Sequence, residues 1–139
     1  MLYTIENKYL SAVISSKGGQ LLSLKAGDEE LLIPGQEEQR EFSLVKVTKE
    51  EVRLCYFTPG GLLISFGYQI KGKTLDCDIL LSSKDPVMSS EGMKIVLLEN
   101  AKVDYCGNSS RNIWKDNRLY VQETEINGDV REHICFTIE

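Results

Sequence analysis

The stretch from Leu62 to Leu81 constrains this chain more than any other. It reads LLISFGYQIKGKTLDCDILL, two runs that alternate apolar and polar residues around the pair Gly72-Lys73. Glycine at the first loop position suits a type II′ turn, whose twist matches that of the flanking strands. With that loop, Ile64, Phe66, Tyr68 and Ile70 stand opposite Leu81, Ile79, Cys77 and Leu75 on one face. A slip of one residue would turn all of these side chains to the other face, so the register is strongly specified. The reverse face sets Ser65, Gly67 and Gln69 against Leu80, Asp78 and Asp76. The spacing therefore predicts an antiparallel sheet with one buried and one polar side.

The rest of the chain repeats this style. Short apolar or β-branched runs are punctuated by Gly, Pro, Asn and Asp about every ten residues, and no segment has a helical period, so the expected fold is an all-β sandwich. With 139 residues, one domain spanning residues 1–139 is expected. Acidic residues outnumber basic ones, 21 to 16, for a net charge of −5. That balance repels nucleic acid and anionic membranes and favours a neutral small molecule or a protein as partner. The start Met1-Leu2-Tyr3-Thr4 lacks the basic and apolar regions of a secretory signal, no apolar run is long enough to span a bilayer, and a cytoplasmic location is expected.

Cys55, Cys77, Cys106 and Cys135 form no C-x-x-C pair, and are expected to be buried, reduced thiols. No Gly-rich phosphate loop, no metal-ligand spacing and no G-x-S-x-G elbow is present, so neither a cofactor nor a metal is expected.

A second hairpin is signalled by Asn127-Gly128 between RLYVQETEI and DVREHICFTIE. It predicts Leu119 and Val121 against Phe136 and Ile134, with Tyr120, Gln122 and Thr124 against Cys135, His133 and Arg131. Glu123 would then face Glu132, at about 0.2 to 1 kcal/mol of like-charge penalty, or the two carboxylates would share something. Between the hairpins, Ser82–Lys94 and Cys106–Asn117 read as irregular segments. The second carries the only Trp, Trp114, beside Asn108, Arg111, Asn112 and Asn117: either a stacking platform for a sugar ring or a plug for the end of the sandwich.

The opening LYTIENKYLSAVISSKGGQLLSLKAGDEELLIPG, then REFSLVKVTKEEVRL (Arg40 to Leu54) and YQIKGKTLDCDILLSSKDPVM (Tyr68 to Met88), resemble in order and spacing the aldose 1-epimerase, or galactose mutarotase-like, family. Together they cover about half of the chain. The resemblance implies a sugar-binding β-sandwich. It also implies what is missing. Pro34-Gly35 joins Arg40-Glu41-Phe42 directly through Gln36-Glu37-Glu38-Gln39, where the family has a segment ending in an H-G-F motif. After the Pro86 loop, Glu91-Gly92-Met93-Lys94 replaces the family's G-x-H-P, whose imidazole is the catalytic acid.

Mutarotation requires one proton delivered to the ring oxygen and another removed from the anomeric hydroxyl, and a thioether does neither. His133 is the only imidazole and falls at no motif position. The expected function is therefore a non-catalytic carbohydrate-binding module, with Gln69, Asp76, Asp78 and Gln122 as hydrogen-bonding groups and Trp114 or Tyr120 as a stacking surface. Its ligand would be a monosaccharide or sugar phosphate. One alternative is a residual epimerase that rebuilt its acid and base from His133 with Glu123 or Glu132, although alternation sets that imidazole and those carboxylates on opposite faces. Another is a half-sized sandwich that completes itself as a homodimer.

Overall fold

The computed structural model describes residues 1–139 and contains strands but no helix. No helix is long and apolar enough to cross a membrane. One layer is a six-stranded antiparallel sheet in the order β5-β6-β7-β8-β12-β9. Its strands are β5 (Ser43–Val47), β6 (Glu51–Phe57), β7 (Leu62–Lys71), β8 (Thr74–Ser89), β9 (Val103–Gly107) and β12 (Thr124–Ile138).

The facing layer is assembled from distant pieces. It begins with β1 (Leu2–Glu6), β2 (Leu10–Ser15), β3 (Gln20–Ala26) and the short β4 (Glu29–Glu30), paired in that order. Beyond β4 the pairing continues through Leu32 opposite Leu97, and then Val96 opposite Arg118. The Leu98 amide donates to Leu31 O and the Leu119 amide to Ile95 O, at 2.8 and 2.9 Å. These bonds attach the hairpin of β10 (Asn112–Lys115) and β11 (Arg118–Val121) to the layer's far end. The alternating strands of both layers turn their apolar residues inward, where 28 of them make one continuous core. Tyr68 crosses between layers, its hydroxyl donating to Gly19 O at 2.7 Å.

The central hairpin has the register its alternation predicts. Ile64, Phe66, Tyr68 and Ile70 pair with Leu81, Ile79, Cys77 and Leu75, and the polar pairs Gly67–Asp78 and Gln69–Asp76 occupy the other face. Gly72 has φ of +58° and Lys73 a negative φ, as a type II′ turn requires.

The Asn127-Gly128 hairpin does not form. β12 runs straight through this pair as one strand between β8 and β9. Gly128 pairs with Ser83 and Ile126 with Val87, so Asn127 faces the bulged segment Lys84-Asp85-Pro86. Pro86 has no amide to offer a ladder, and Gly128 takes the positive φ (+79°) that a bulge can use as readily as a turn. Leu119 and Val121 accordingly pair with Trp114 and Asn112, not with β12. His133 stands opposite Asp78 rather than Gln122, Glu132 opposite Ile79 rather than Glu123, and Cys135 between Asp76 and Cys106 rather than opposite Tyr120.

Both segments read as irregular are partly regular. Ser82–Ser89 prolongs β8, and β10 and β11 are joined by Asp116-Asn117, whose φ of 54° and 56° give the type I′ turn of a tight hairpin. Of the four cysteines only Cys77 is fully buried. Cys55 and Cys135 are half-buried and Cys106 is exposed, because alternation sends all three to the sheet's outer face; none is in a disulfide.

Candidate functional site

Alternation along five neighbouring strands builds a polar field on the outer face of the six-stranded sheet. Two rungs cross it. The first runs Lys46, Arg53, Gly67, Asp78, His133, and the second Glu51, Gln69, Asp76, Cys135, Cys106. The Asn108 amide donates to His133 O, and Asn108 Oδ1 accepts from the His133 amide at 2.8 Å, so the first rung ends on Asn108.

Diagonal bonds lock the rungs together. His133 Nε2 and Asp76 Oδ1 are 2.7 Å apart, and Lys71 Nζ is 3.2 Å from the other Asp76 oxygen. Glu51 receives Lys46 Nζ and Arg53 Nε, both at 2.8 Å. Arg53 Nη2 then donates to Asp78 Oδ2 at 2.9 Å, two strands away. That reach, about 9.5 Å across two strand spacings, is open because the intervening residue is glycine. A Cβ on Gly67 would lie 2.7 Å from Arg53 Nη1.

The electrostatics follow these contacts. The Lys46 ammonium, and then Arg53, hold the Glu51 carboxyl below the usual carboxylate range against its burial. Burial works against the Arg53 charge, yet the bonds to Asp78 and Glu51 prevail and raise its pKa. Charge is therefore fixed in place before any ligand arrives. Beside these groups lies an open concavity of about 420 Å³ lined by Arg53, Ser65, Asp78, Asn108, Arg131 and His133. That is the size of a small-ligand site.

Sequence reasoning placed Asp76, Asp78 and Gln69 on one polar face, and the structure adds His133 to them. It does not bring Trp114 there. That ring stacks on Tyr105 at 5.5 Å and meets Phe136 edge-on at 5.0 Å, on the inner side of the sheet, so it packs against the core as a plug would. Tyr120 is exposed on β11, beneath the Arg118 guanidinium, and Gln122 and Glu123 are exposed between β11 and β12. Glu132 points inward, almost wholly buried, and accepts from Arg111 Nη1 at 2.8 Å and from Ser109 Oγ. The carboxylates that accompany His133 are those of Asp76 and Asp78. Asn108, expected beside Trp114, lies instead at the end of this polar face, and the sequence pattern does not single out Arg53 or Arg131. The signal for Arg53 was its place on the outer side of β6 opposite Gly67.

A second cleft lies where the resemblance sets Met93 or a neighbour in the position of the family's acid. It is lined by Gly19, Glu38, Arg40, Glu91, Met93 and Lys94 and holds only about 20 Å³. That is room for about one water. Arg40 fills it, binding Glu91 at 2.6 Å and Glu38 at 3.1 Å while lying over Phe42 and Tyr56.

No protein-family model matches the sequence, and no curated protein matches it. Solved structures do match the fold. A candidate aldose 1-epimerase from Escherichia coli K12 superposes with a TM-score of 0.67 at 7% identity, over 100% of this chain and 99% of its own. The Slr1438 protein from Synechocystis sp. PCC 6803 gives 0.72 at 8% identity, over 100% of this chain and 96% of its own. The galactose mutarotase related enzyme from Lactobacillus acidophilus gives 0.55 at 15% identity, over 94% of this chain and 64% of its own. The chain thus spans just under two thirds of that enzyme's length. It has the galactose mutarotase-like fold.

Proposed function

We propose that this protein binds a monosaccharide or sugar phosphate on the outer face of its six-stranded sheet. The observation that carries this reading is the concavity beside Asp78 and His133, where donors and acceptors surround the half-buried Leu80 side chain. A sugar ring presents alternating hydroxyls that both donate and accept, and Asp78, Ser65, Asn108 and His133 supply complementary atoms. A phosphate on that ring would meet Arg131, whose own partner Asp129 is 3.8 Å away. The mutarotase-like fold supports a carbohydrate ligand as analogy.

Titration with glucose, galactose and their phosphates, followed by NMR of the His133 ring and the Asn108 side-chain amide, tests the proposal. Saturable shifts that vanish in Asp78→Asn are expected. Unmoved signals at millimolar sugar would overturn it.

One observation favours a second reading, residual epimerase chemistry. His133 is held by Asp76 at 2.7 Å with nearly half of its side chain open to solvent, while Asp78 stands opposite it on β8. The His133 ring would deliver a proton to the ring oxygen as Asp78 takes the anomeric hydroxyl proton, the ring C–O bond breaking as the carbonyl forms, and reclosure on the other carbonyl face would return both protons. Faster anomer exchange, lost in His133→Ala, is its expected signature; exchange at the buffer rate would remove it.

A further inference from the structure

We propose that Cys106 and Cys135 are a paired thiol site, which a low-molecular-weight disulfide such as oxidised glutathione closes into a cross-strand bridge. The two residues face each other directly in the β9–β12 ladder. Opposed residues of an antiparallel pair have Cα atoms about 4.5–5.5 Å apart, within the roughly 4.4–6.8 Å that a disulfide spans. Their side chains also share a face, the outer one. β9 is the edge of its sheet and has no strand on its other side, so it can make the small approach that bonding needs.

The pair is also graded in access. Cys106 is exposed and Cys135 half-buried. Burial, and then the Cys106 thiol and the Asp76 carboxylate, push the Cys135 thiol upward, which leaves Cys106 as the point of attack. No other pairing competes. Cys77 is buried on the opposite face of the sheet, and Cys55 lies on β6, with β7 and β8 between it and β12.

The exchange balances without any further reagent. The Cys106 thiolate attacks one sulfur of the small disulfide and expels the other as a thiolate, giving a mixed disulfide. The Cys135 thiol gives up its proton, attacks the Cys106 sulfur and expels the second small thiol. One small disulfide becomes two small thiols, and the protein loses two hydrogens. The bridge would tie β9 to β12 one rung from the contact between Asn108 and His133, at the wall of the concavity.

The test is to equilibrate the reduced protein with excess oxidised glutathione, then measure intact mass, count alkylatable thiols and map crosslinked peptides. Wild type is expected to lose two of its four thiols, retain no glutathione, yield one peptide joining Cys106 to Cys135, and recover fully in dithiothreitol. Cys135→Ser is expected to stop at a glutathione adduct on Cys106. Four free thiols at equilibrium, a stable adduct on wild type, or a crosslink to Cys55 or Cys77 would each overturn the proposal. The outcome does not depend on whether a sugar binds.

Discussion

Arg111 and Glu132 form an ion pair at 2.8 Å in which both partners are shut away from water, at 6% and 3% exposure. The guanidinium also donates to Glu91 O at 2.9 Å, and so joins the start of β10 to the inner face of β12 and to the chain leaving β8. Breaking such a pair leaves a buried charge alone, which costs more than the pair itself contributes. Arg111→Met is expected to lower unfolding free energy by about 3 to 5 kcal/mol. The double variant Arg111→Met, Glu132→Met should recover most of that loss. Urea unfolding of wild type and the variants measures both, and a double variant no better than Arg111→Met would contradict the argument.

Gly67→Ala tests the passage by which Arg53 reaches Asp78. The new Cβ would sit 2.7 Å from the guanidinium, at the far end of a flexible side chain. Arg53 should therefore swing aside, and stability should fall by no more than about 1 kcal/mol, the scale of an exposed charged contact. Asp78 loses its fixed partner in the process. Ligand shifts at His133 and Asn108 should weaken far more than stability does.

Acid should release the Arg40 cluster late. Arg40 holds the Glu38 carboxyl well below its ordinary pKa of 4.5, at about 2. Because the folded value is the lower one, this stabilisation is complete above about pH 4.5 and is lost as pH falls toward 2. Solvent screening at this part-exposed carboxylate brings its size to about 1 to 2 kcal/mol. Glu38→Gln should lie below wild type by up to that amount at neutral pH and converge with it in strong acid, as read from unfolding curves at a series of pH values. A constant gap would contradict the assignment.

The turn between β10 and β11 separates conformation from side-chain bonding. Asp116 and Asn117 both have positive φ, but only Asn117 donates its amide, to Leu98 O at 2.9 Å and Ala101 O at 2.8 Å. Asp116→Gly should raise stability by a few tenths of a kcal/mol, up to about 1, by relieving the backbone. Asn117→Gly relieves the same backbone yet should lower stability by about 1 kcal/mol or more, as two carbonyls lose their donor. Thermal unfolding of the two variants gives the comparison.

The sequence makes some elements legible and conceals others for physical reasons. Around Gly72, local alternation and a two-residue loop together determine the register, and Ile64 to Ile70 fall where the pattern requires. Around Gly128 the local signal is equally strong, but a positive φ serves a turn or a bulge, and the choice rests with Pro86 across the ladder. The polar face was readable because it needs only period two. The bond from His133 to Asp76 was not, since it depends on β12 lying beside β8, a neighbour 57 residues away. Trp114 reads as a platform or as a plug for a similar reason: nothing near it in sequence announces that Tyr105 and Phe136 will take up its ring.

The bridging segment Ile95–Leu98 joins Leu31 and Leu32 on one side to Asn117–Leu119 on the other. Three parts of the polypeptide must arrive together before any of them gains its partners, and each closure spends loop entropy in advance. The central hairpin around Gly72 closes locally and can organise first. This seam is therefore expected to form after the rate-limiting barrier, so that weakening Leu97 would hasten unfolding while leaving the refolding rate nearly unchanged.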